Sequence, residues 1–345
     1  MRILLTGVDG YIGSLLGPLL LNAGHDVVGL DTGYYRDGWL YSDPEHLARS
    51  PKTLCKDLRY VSAEDVEGMD AVVHLAELSN DPLGETVPEI TREINHLGSV
   101  RLAKLAKDAG VSRFVYTSSC SVYGAGSGDF LDESAPVNPQ TTYAECKVKV
   151  ERDVGAMADD TFSPVFLRNA TAYGASPRMR FDIVLNNLSG LAWVTKRIAM
   201  TSDGTPWRPL VHVLDICHAV RCAVEAPAET IHNEIFNVGQ NSDNYRVREI
   251  AEIVGDVFPA CEVTFGSLDG DSRSYRVAFD KIHDRLPGFE CRWSALLGAQ
   301  QLHRVFDRIR MPEDTFEFRA FTRLKQLRYL METHQLDDEL FWTTP

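Results

Sequence analysis

The stretch TGVDGYIG, residues 6–13, connects an apolar run, RILL, to a helix-like segment, LLGPLLLNAG. Its glycines recur every three residues, which lets the chain turn tightly off a strand and bring backbone N–H groups against a pyrophosphate. The spacing is GxxGxxG and not the commoner GxGxxG, so a glycine-rich turn without a ligand remains an alternative. The order strand, glycine loop and helix predicts a dinucleotide site. The residues expected at the cofactor are Gly7, Gly10, Tyr11, Ile12 and Gly13.

An acidic residue ends the next predicted strand. Asp31 lies 18 residues after Gly13, where a carboxylate can accept hydrogen bonds from both hydroxyls of an adenosine ribose. The same charge would repel the 2′-phosphate of NADP. The alternative is an Asp that begins the turn at Thr32-Gly33. The pattern predicts NAD as the cofactor.

The first half of the chain alternates β-branched or Leu-rich runs with stretches of helical period, which is typical of a parallel sheet covered by helices. Strands are predicted at residues 2–6, 26–31, 54–57, 71–76, 113–119 and 165–169. The clearest helices are predicted at residues 98–108 and 143–157.

This alternation predicts an α/β fold, a Rossmann-type doubly wound parallel sheet with a smaller, interleaved C-terminal domain for the substrate. The NAD-binding domain is expected over residues 1–170, and residues 211–226 are expected to return to it. The substrate-binding domain is expected over residues 171–345.

Composition excludes several classes of function. The 345 residues carry a formal charge of −14, which disfavours nucleic acid or an anionic membrane as a partner. The seven cysteines contain no CxxC pair, which argues against a disulfide framework or a cysteine zinc site and suits a reducing compartment. No segment has the length of a membrane span, and the start MRILLTG is too weakly apolar for a signal peptide. We expect a cytoplasmic protein without a bound metal.

A second motif, YAECK, places Tyr143 and Lys147 four residues apart, which is one turn of a helix. A neighbouring ammonium and a positive nicotinamide would stabilise the phenolate and lower the pKa of Tyr143, making it a general acid and base. An ordinary amphipathic helix face is the alternative. Upstream, the hydroxyl-rich stretch TSSCSVYG, residues 117–124, ends a predicted strand.

Taken in order along the chain, these motifs resemble the extended short-chain dehydrogenase/reductases, in the group of nucleotide-sugar epimerases and dehydratases. The resemblance runs from Thr6-Gly7 to about Asp280. It implies that Ser119 hydrogen-bonds the sugar oxygen, that Tyr143 moves its proton, and that Lys147 holds the cofactor ribose and tunes Tyr143.

Further positions follow from the same resemblance. At the cofactor it implies Asp57, Leu58, Leu75, Ala76, Asn95 and Thr117, in addition to Tyr143 and Lys147. At the diphosphate of a nucleotide sugar it implies Asn187, Leu188, Arg208 and, more loosely, Arg273. Arginine forks suit phosphates, and they would hold an anionic ligand in an otherwise acidic protein.

The sequence also departs from the family pattern. Glu77 stands where a small residue is usual, and Thr171 stands where many relatives have Asn. The Asp-Glu pair that 4,6-dehydratases carry after the strand-end hydroxyl is replaced by Cys120-Ser121. Cys120 is interpreted as a packed thiol, with a catalytic role as the alternative.

These features favour an NAD-dependent epimerase that oxidises a nucleotide-sugar carbon, most simply C4, and returns the hydride to the other face. The alternatives are a nucleotide-sugar dehydrogenase or reductase, an unusual dehydratase that uses Glu77, and a non-catalytic NAD sensor. The resemblance also implies a homodimer that pairs the helices before Gly110 and around Tyr143.

Overall fold

A computed structural model of the protein describes residues 1–42, 49–79, 81–126, 129–267 and 274–343. In these ranges the strands are β1 (Arg2–Thr6), β2 (Asp26–Asp31), β3 (Lys52–Cys55), β4 (Ala71–His74), β5 (Arg113–Ser119), β6 (Phe130–Leu131), β7 (Ser163–Asn169), β8 (Thr171–Tyr173), β9 (Arg197–Ala199), β10 (Trp207–His212), β11 (Glu234–Val238), β12 (Asn244–Arg246), β13 (Glu262–Thr264) and β14 (Arg276–Val277).

The helices are α1 (Gly13–Asn22), α2 (Ala63–Val66), α3 (Asp81–Thr86), α4 (Pro88–Thr91), α5 (Ser99–Asp108), α6 (Thr142–Gly155), α7 (Val184–Thr195), α8 (Val213–Glu225), α9 (Ala228–Ile231), α10 (Val247–Val257), α11 (Asp280–Arg285), α12 (Ala295–Ile309), α13 (Glu313–Glu317) and α14 (Arg323–Glu332). A π-helical stretch, Arg92–Gly98, joins α4 to α5. Short 3-10 turns occupy Leu58–Tyr60, Cys120–Tyr123, Asn241–Asp243 and Arg319–Phe321.

The central sheet of the described chain has seven parallel strands in the order β11-β7-β5-β4-β1-β2-β3. The strand order reverses between β1 and β4, and ligands of such sheets bind at the carboxyl ends of the strands beside this reversal. Every residue of β4 and β7 is buried, as expected for parallel strands with helices on both faces. The prediction of an α/β fold with a doubly wound parallel sheet is confirmed.

Two hydrophobic layers cover the sheet. On one face, α1 and α8 contribute Leu16, Leu20 and Val220 to one buried cluster. On the other face, α5 and α6 contribute Leu102 and Val150 to a second cluster. The sheet is therefore enclosed on both faces, and its strand ends open at the edge where the glycine loop lies.

A third buried cluster lies outside the central sheet and joins α7, α10 and α12 through residues such as Leu185, Ile250 and Phe306. Beside it, β8, β10 and β12 form a small sheet. The chain passes between these regions more than once, because β11 returns to the central sheet and Leu327 of α14 packs in the second cluster. The division of the chain at residue 170 stays a prediction.

One predicted element lies elsewhere. The strand expected at residues 54–57 is β3, Lys52–Cys55, and Asp57 follows it outside the sheet. The Asp57 side chain accepts the backbone N–H of Arg59 and begins the 3-10 turn Leu58–Tyr60. The strand therefore ends at Cys55, earlier than the apolar pattern of the sequence predicts, because Asp57 caps the following turn.

A buried ion pair connects the sheet to α6. Arg168 of β7 and Glu151 of α6 lie 2.7 Å apart, nitrogen to oxygen. The Ser118 hydroxyl donates a hydrogen bond to Glu151, and Arg168 donates one to the hydroxyl of Tyr123. This network fixes the end of β5, the turn Cys120–Tyr123 and the helix that carries the YxxxK motif relative to one another.

Candidate active site

A cavity of about 800 Å³ opens at the carboxyl ends of the central strands. Residues from the glycine loop, the ends of β2, β4 and β5, the first turns of α6 and α7, and the beginning of α14 line it. Its position beside the reversal of strand order is where the topology predicts a ligand.

The glycine loop requires glycine at two positions. Gly7 has a φ of +73°, and a Cβ atom there would lie 2.9 Å from the backbone nitrogen of Ala76. A Cβ atom on Gly13 would lie 2.1 Å from the carbonyl oxygen of Gly7. The loop therefore packs closely on the end of β4 and leads directly into α1, whose N-terminal backbone N–H groups can bind a pyrophosphate.

Asp31 lies at the adenosine end expected for the cofactor. Its carboxylate accepts hydrogen bonds from the backbone N–H of Gly33 at 2.8 Å and of Asp9 at 3.0 Å. Burial raises the pKa of Asp31, and these two N–H donors oppose that effect. The side chain lines the cavity, and each oxygen keeps acceptor capacity for a ribose hydroxyl.

Most of the other expected cofactor residues also line the cavity: Gly10, Tyr11, Ile12, Asp57, Leu58, Leu75, Ala76, Thr117, Tyr143 and Lys147. Asn95 is buried and does not line it. The Asn95 side chain instead makes hydrogen bonds to both the N–H and the carbonyl of Leu78, so it supports the loop after β4. Its contact with the cofactor would be indirect.

The three residues expected to be catalytic line the same cavity. Thr141 caps α6, accepting the N–H of Ala144, so Tyr143 and Lys147 lie on successive turns at the start of this helix. The Lys147 ammonium lies 5.3 Å from the centre of the Tyr143 ring and donates to the carbonyl oxygen of Thr117. Ser119 ends β5, and its hydroxyl accepts the N–H of Ser121 at 3.1 Å.

Glu77 is the charge partner of Lys147. Its carboxylate lies 2.6 Å from the Lys147 ammonium, its side chain is 2% exposed, and it accepts a hydrogen bond from the Tyr116 hydroxyl. Burial raises the pKa of Glu77, and the adjacent Lys147 cation opposes this effect. The extra carboxylate noted in the sequence is therefore part of the active-site electrostatics.

The Glu77–Lys147 pair bears on the pKa of Tyr143, which the sequence predicted to be lowered. Burial raises the pKa of Tyr143 above its ordinary value; Lys147 and Arg180 oppose that rise, whereas Glu77 and Asp81 add to it. Lys147 thus acts in the predicted direction, but burial outweighs it and Glu77 offsets part of its charge.

Asn187 and Arg208 also line the cavity, as expected for a substrate site. Leu188 is buried beside them in the core and does not reach the cavity surface. Arg273 lies outside the described residues. Thr171, the position where relatives carry Asn, also faces the cavity.

Five charged residues of the cavity were not expected from the sequence: Lys56, Asp81, Arg180, Asp182 and Arg323. Arg180 and Asp182 form a buried ion pair at 2.9 Å. Arg323 comes from α14, far along the chain, and no motif connects it to the glycine loop. Arginines in an acidic chain indicate a site for an anion, but the sequence does not show which arginines reach the cavity.

Cys120 does not line the cavity. Its thiol is buried and contacts the carbonyl oxygen of Arg168 at 3.1 Å, and burial raises the pKa of this thiol. A buried, protonated thiol of this kind is a poor nucleophile and base. The geometry favours the packed role for Cys120.

The described ranges contain no helix both long and apolar enough to cross a bilayer. They also contain no group of three or more His, Cys, Asp or Glu side chains placed to hold a metal ion.

A glycine loop at a helix N-terminus, a carboxylate at the end of the next strand and a buried Tyr–Lys pair lie in one cavity, and this is the arrangement expected for hydride transfer with NAD. The fold and site define an NAD-dependent enzyme of the extended short-chain dehydrogenase/reductase type. The family model "NAD dependent epimerase/dehydratase family" matches residues 3–239, more than half of the chain. The chain belongs to this family.

Individual relatives agree with this assignment. The chain is 28% identical to the UDP-glucose 4-epimerase of Bacillus subtilis, over 84% of this chain and 86% of that protein. It is 30% identical to the UDP-glucose 4-epimerase of Homo sapiens, over 87% of this chain and 94% of that protein. Its fold matches the solved structure of MoeE5 in complex with UDP-glucose and NAD, with a TM-score of 0.76 and 26% identity, over 90% of this chain and all of that chain.

These findings confirm the predicted NAD cofactor and the predicted class of enzyme, an NAD-dependent nucleotide-sugar epimerase. The residues of the cavity fit the cofactor. The glycine loop would hold its pyrophosphate, Asp31 its adenosine ribose and Lys147 its nicotinamide ribose.

The Glu77–Lys147 pair leads to a prediction for pH dependence. In its expected role as general base, Tyr143 accepts a proton as the phenolate, so the rate should fall as the pH drops below its pKa. Glu77→Gln removes a negative charge that disfavours the phenolate, so the acid limb of kcat/KM should move to lower pH by about one unit. The measurement is the pH profile of the purified variant.

Glu67→Gln, at an exposed carboxylate on the connection that precedes β4, is the control and should leave the profile unchanged. Circular dichroism checks that both variants are folded. An acid limb that stays in place or moves to higher pH in Glu77→Gln would contradict this electrostatic role.

Proposed function

We propose that the protein is a UDP-hexose 4-epimerase that inverts the hydroxyl at C4 through a transient 4-keto sugar. The observation that carries the proposal is the placement of Ser119, Tyr143 and Lys147 in one cavity whose far end carries Asn187 and Arg208. The relatives named UDP-glucose 4-epimerase support the choice of nucleotide and carbon.

In this proposal, the glycine loop, Asp31 and Lys147 would hold NAD, which would supply the acceptor and donor for the hydride that leaves C4 and comes back to the other face of the same carbon. Tyr143, as the phenolate, takes the proton of the 4-hydroxyl when the C4–H bond breaks, and gives it back when the ketone is reduced. The Ser119 hydroxyl donates a hydrogen bond to the same oxygen, where negative charge develops. The positive charge of Lys147 stabilises the phenolate form of Tyr143.

The pair of Glu77 and Lys147 affects Tyr143 both as a base and as an acid. Glu77 offsets part of the ammonium charge, so Tyr143 holds its proton more firmly than it would beside Lys147 alone. Epimerisation needs both functions from one residue, because the proton leaves the sugar and returns to it.

The position after Ser119 argues against dehydration. Elimination of a C6 hydroxyl needs an acid for the leaving group and a base at C5. Cys120 is buried away from the cavity, and Glu77 is held by Lys147 and Tyr116. Dehydration by way of Glu77 would first have to break this buried ion pair.

The diphosphate of the substrate is assigned to the end of the cavity with Arg208 and Asn187. Asn187 is held in place by a hydrogen bond from its side-chain nitrogen to the carbonyl of Phe181 at 2.9 Å. Arg208 lies on β10 and donates to the carbonyl of Trp207 at 2.8 Å. The planar guanidinium suits a phosphate, and it supplies positive charge in a chain of net charge −14.

The reaction is tested with a panel of UDP-, GDP-, CDP- and dTDP-sugars. The protein should convert UDP-glucose to UDP-galactose without net formation of NADH, and Tyr143→Phe should lower kcat by about 10²- to 10⁴-fold. Tyr60→Phe, on an exposed ring, is the control and should keep full activity. Stoichiometric NADH formation or consumption, or a product lighter by one water, would contradict the proposal.

We also propose that the protein is cytoplasmic and forms a homodimer. All seven cysteines are free thiols, Cys55 on the surface among them, as suits a reducing compartment. The proposed interface pairs α5 and α6 with their counterparts in a second copy. Leu97, on the helical stretch that leads into α5, supports this choice because it is 58% exposed.

Oligomeric state tests the interface. Light scattering at micromolar concentration should give the mass of a dimer, and Leu97→Glu should shift it toward the monomer by placing a charge in an apolar contact. Leu296→Glu, which changes an exposed leucine on α12, should leave the dimer intact. A wild-type monomer would contradict the proposed interface.

A further inference from the structure

The C-terminal strap, residues 319–343, packs beside the part of the cavity that carries Asp31 and Asp57. Trp342 donates to the carbonyl of Thr32 at 2.8 Å, and Tyr34 donates to the carbonyl of Leu340. The strap is therefore attached to the loop that follows β2.

The strap is also attached to the turn after β3. Arg59 donates to the carbonyl of Glu339 at 2.8 Å, and its guanidinium stacks 3.6 Å from the ring centre of Phe341. Thr322, Arg323 and Leu324, at the beginning of α14, reach the cavity itself. The strap thus adds a wall to the adenosine end of the cofactor site.

Arg323 is the charged residue of this wall. Its side chain stacks with the guanidinium carbon 3.8 Å from the centre of the Tyr35 ring, and the residue is 3% exposed. Within the described chain, no carboxylate forms an ion pair with it, and its buried Nε atom has no hydrogen-bond partner. A buried guanidinium normally has its donors satisfied, so the unpaired Nε–H points to a ligand that carries acceptors.

The surroundings of Arg323 indicate that the ligand is an anion. Burial, together with the nearby Arg180 cation, lowers the pKa of Arg323 to about 10, whereas Tyr35, Asp182 and Asp31 oppose this effect. Asp182 is already paired with Arg180, and Asp31 is bonded to Gly33 and Asp9. Within the described residues, neither carboxylate forms an ion pair with the Arg323 guanidinium, which leaves it able to pair with an anionic group of a ligand.

The backbone adds to this positive potential. Arg323 is the first residue of α14, a helix of ten residues whose N-cap, Thr322, makes no side-chain capping bond. The backbone N–H of Arg323 already donates to the Asp182 carboxylate at 3.3 Å. The other N–H groups of the first turn and the dipole of this helix end favour negative charge at the cavity wall. The N-terminus of α1 at the glycine loop borders the same cavity.

We propose that Arg323 and the N-terminus of α14 bind a phosphate of the NAD diphosphate, so that the C-terminal strap completes the cofactor site. Phosphate is the anion expected here because Asp31 marks the adenosine end of the dinucleotide and Arg323 borders the cavity next to it. The planar guanidinium matches two phosphate oxygens at once. The glycine loop then holds the diphosphate from one side, and the strap holds it from the other.

The test measures retention of NAD, which does not depend on the sugar reaction. Protein that retains NAD after purification is diluted, and the release rate is followed by the loss of bound NAD. Arg323→Gln should release NAD about 10- to 100-fold faster, because a charged hydrogen bond to phosphate is lost. Arg323→Lys keeps the positive charge but not the forked donors, so its NAD release rate should lie between those of the wild type and Arg323→Gln. Arg328→Gln, an exposed arginine on the same helix, should behave as the wild type.

Competition identifies the phosphate as the group that is bound. The concentrations of ADP and of adenosine that displace NAD are compared in each variant. In Arg323→Gln, ADP should lose about 10- to 100-fold of its advantage over adenosine. An equal loss for both ligands, or an unchanged NAD release rate, would overturn the proposal. Weakened binding of UDP with unchanged NAD release would also overturn it, because Arg323 would then serve the substrate.

Hydrogen exchange of the wild-type protein gives a second test, and it does not depend on whether a variant folds. Exchange at the first amide groups of α14 should slow when NAD or ADP is bound and should not change with adenosine. Equal exchange in the presence and absence of NAD would contradict the contact.

Discussion

The buried ammonium of Lys147 is the charge on which the chemistry of the cavity depends. It contacts the carboxylate of Glu77, the carbonyl of Thr117 and the ring face of Tyr116, and it lies one helical turn from Tyr143. A buried cation must be neutralised or hydrogen-bonded to remain charged. Glu77 meets this requirement, and in doing so it weakens the effect of Lys147 on the Tyr143 phenol. The pKa of Tyr143 thus depends on burial and on the opposed charges of Lys147 and Glu77, and Glu77 is the departure from the family pattern.

The fold explains why these groups meet. The strands end together at one edge of a parallel sheet, so residues separated by long stretches of chain face one cavity. Gly7 packs closely on Ala76, so the glycine loop after β1 lies directly against the segment that follows β4. The pair Arg168–Glu151 then fixes α6 against the end of β5, which sets Tyr143 and Lys147 relative to Ser119.

The sequence alone predicted the features that depend on local spacing. The glycine loop, Asp31 and the YxxxK motif are short patterns with a defined geometry, and all of them line the cavity. It did not predict features that depend on long-range packing: the ion pair between Glu77 and Lys147, the support role of Asn95, or the arrival of Arg323 from the C-terminal strap. The shift of the third strand had a local cause, since Asp57 caps a turn where the apolar pattern still suggested extension.

Epimerisation at C4 by transient oxidation predicts the fate of one hydrogen atom. UDP-glucose that carries deuterium at C4 should give UDP-galactose with the deuterium still at C4, and the product formed in deuterated water from unlabelled substrate should contain no deuterium on carbon. The positions of the label are read by mass spectrometry and NMR. Loss of deuterium from C4, or entry of solvent hydrogen at C5, would contradict the account.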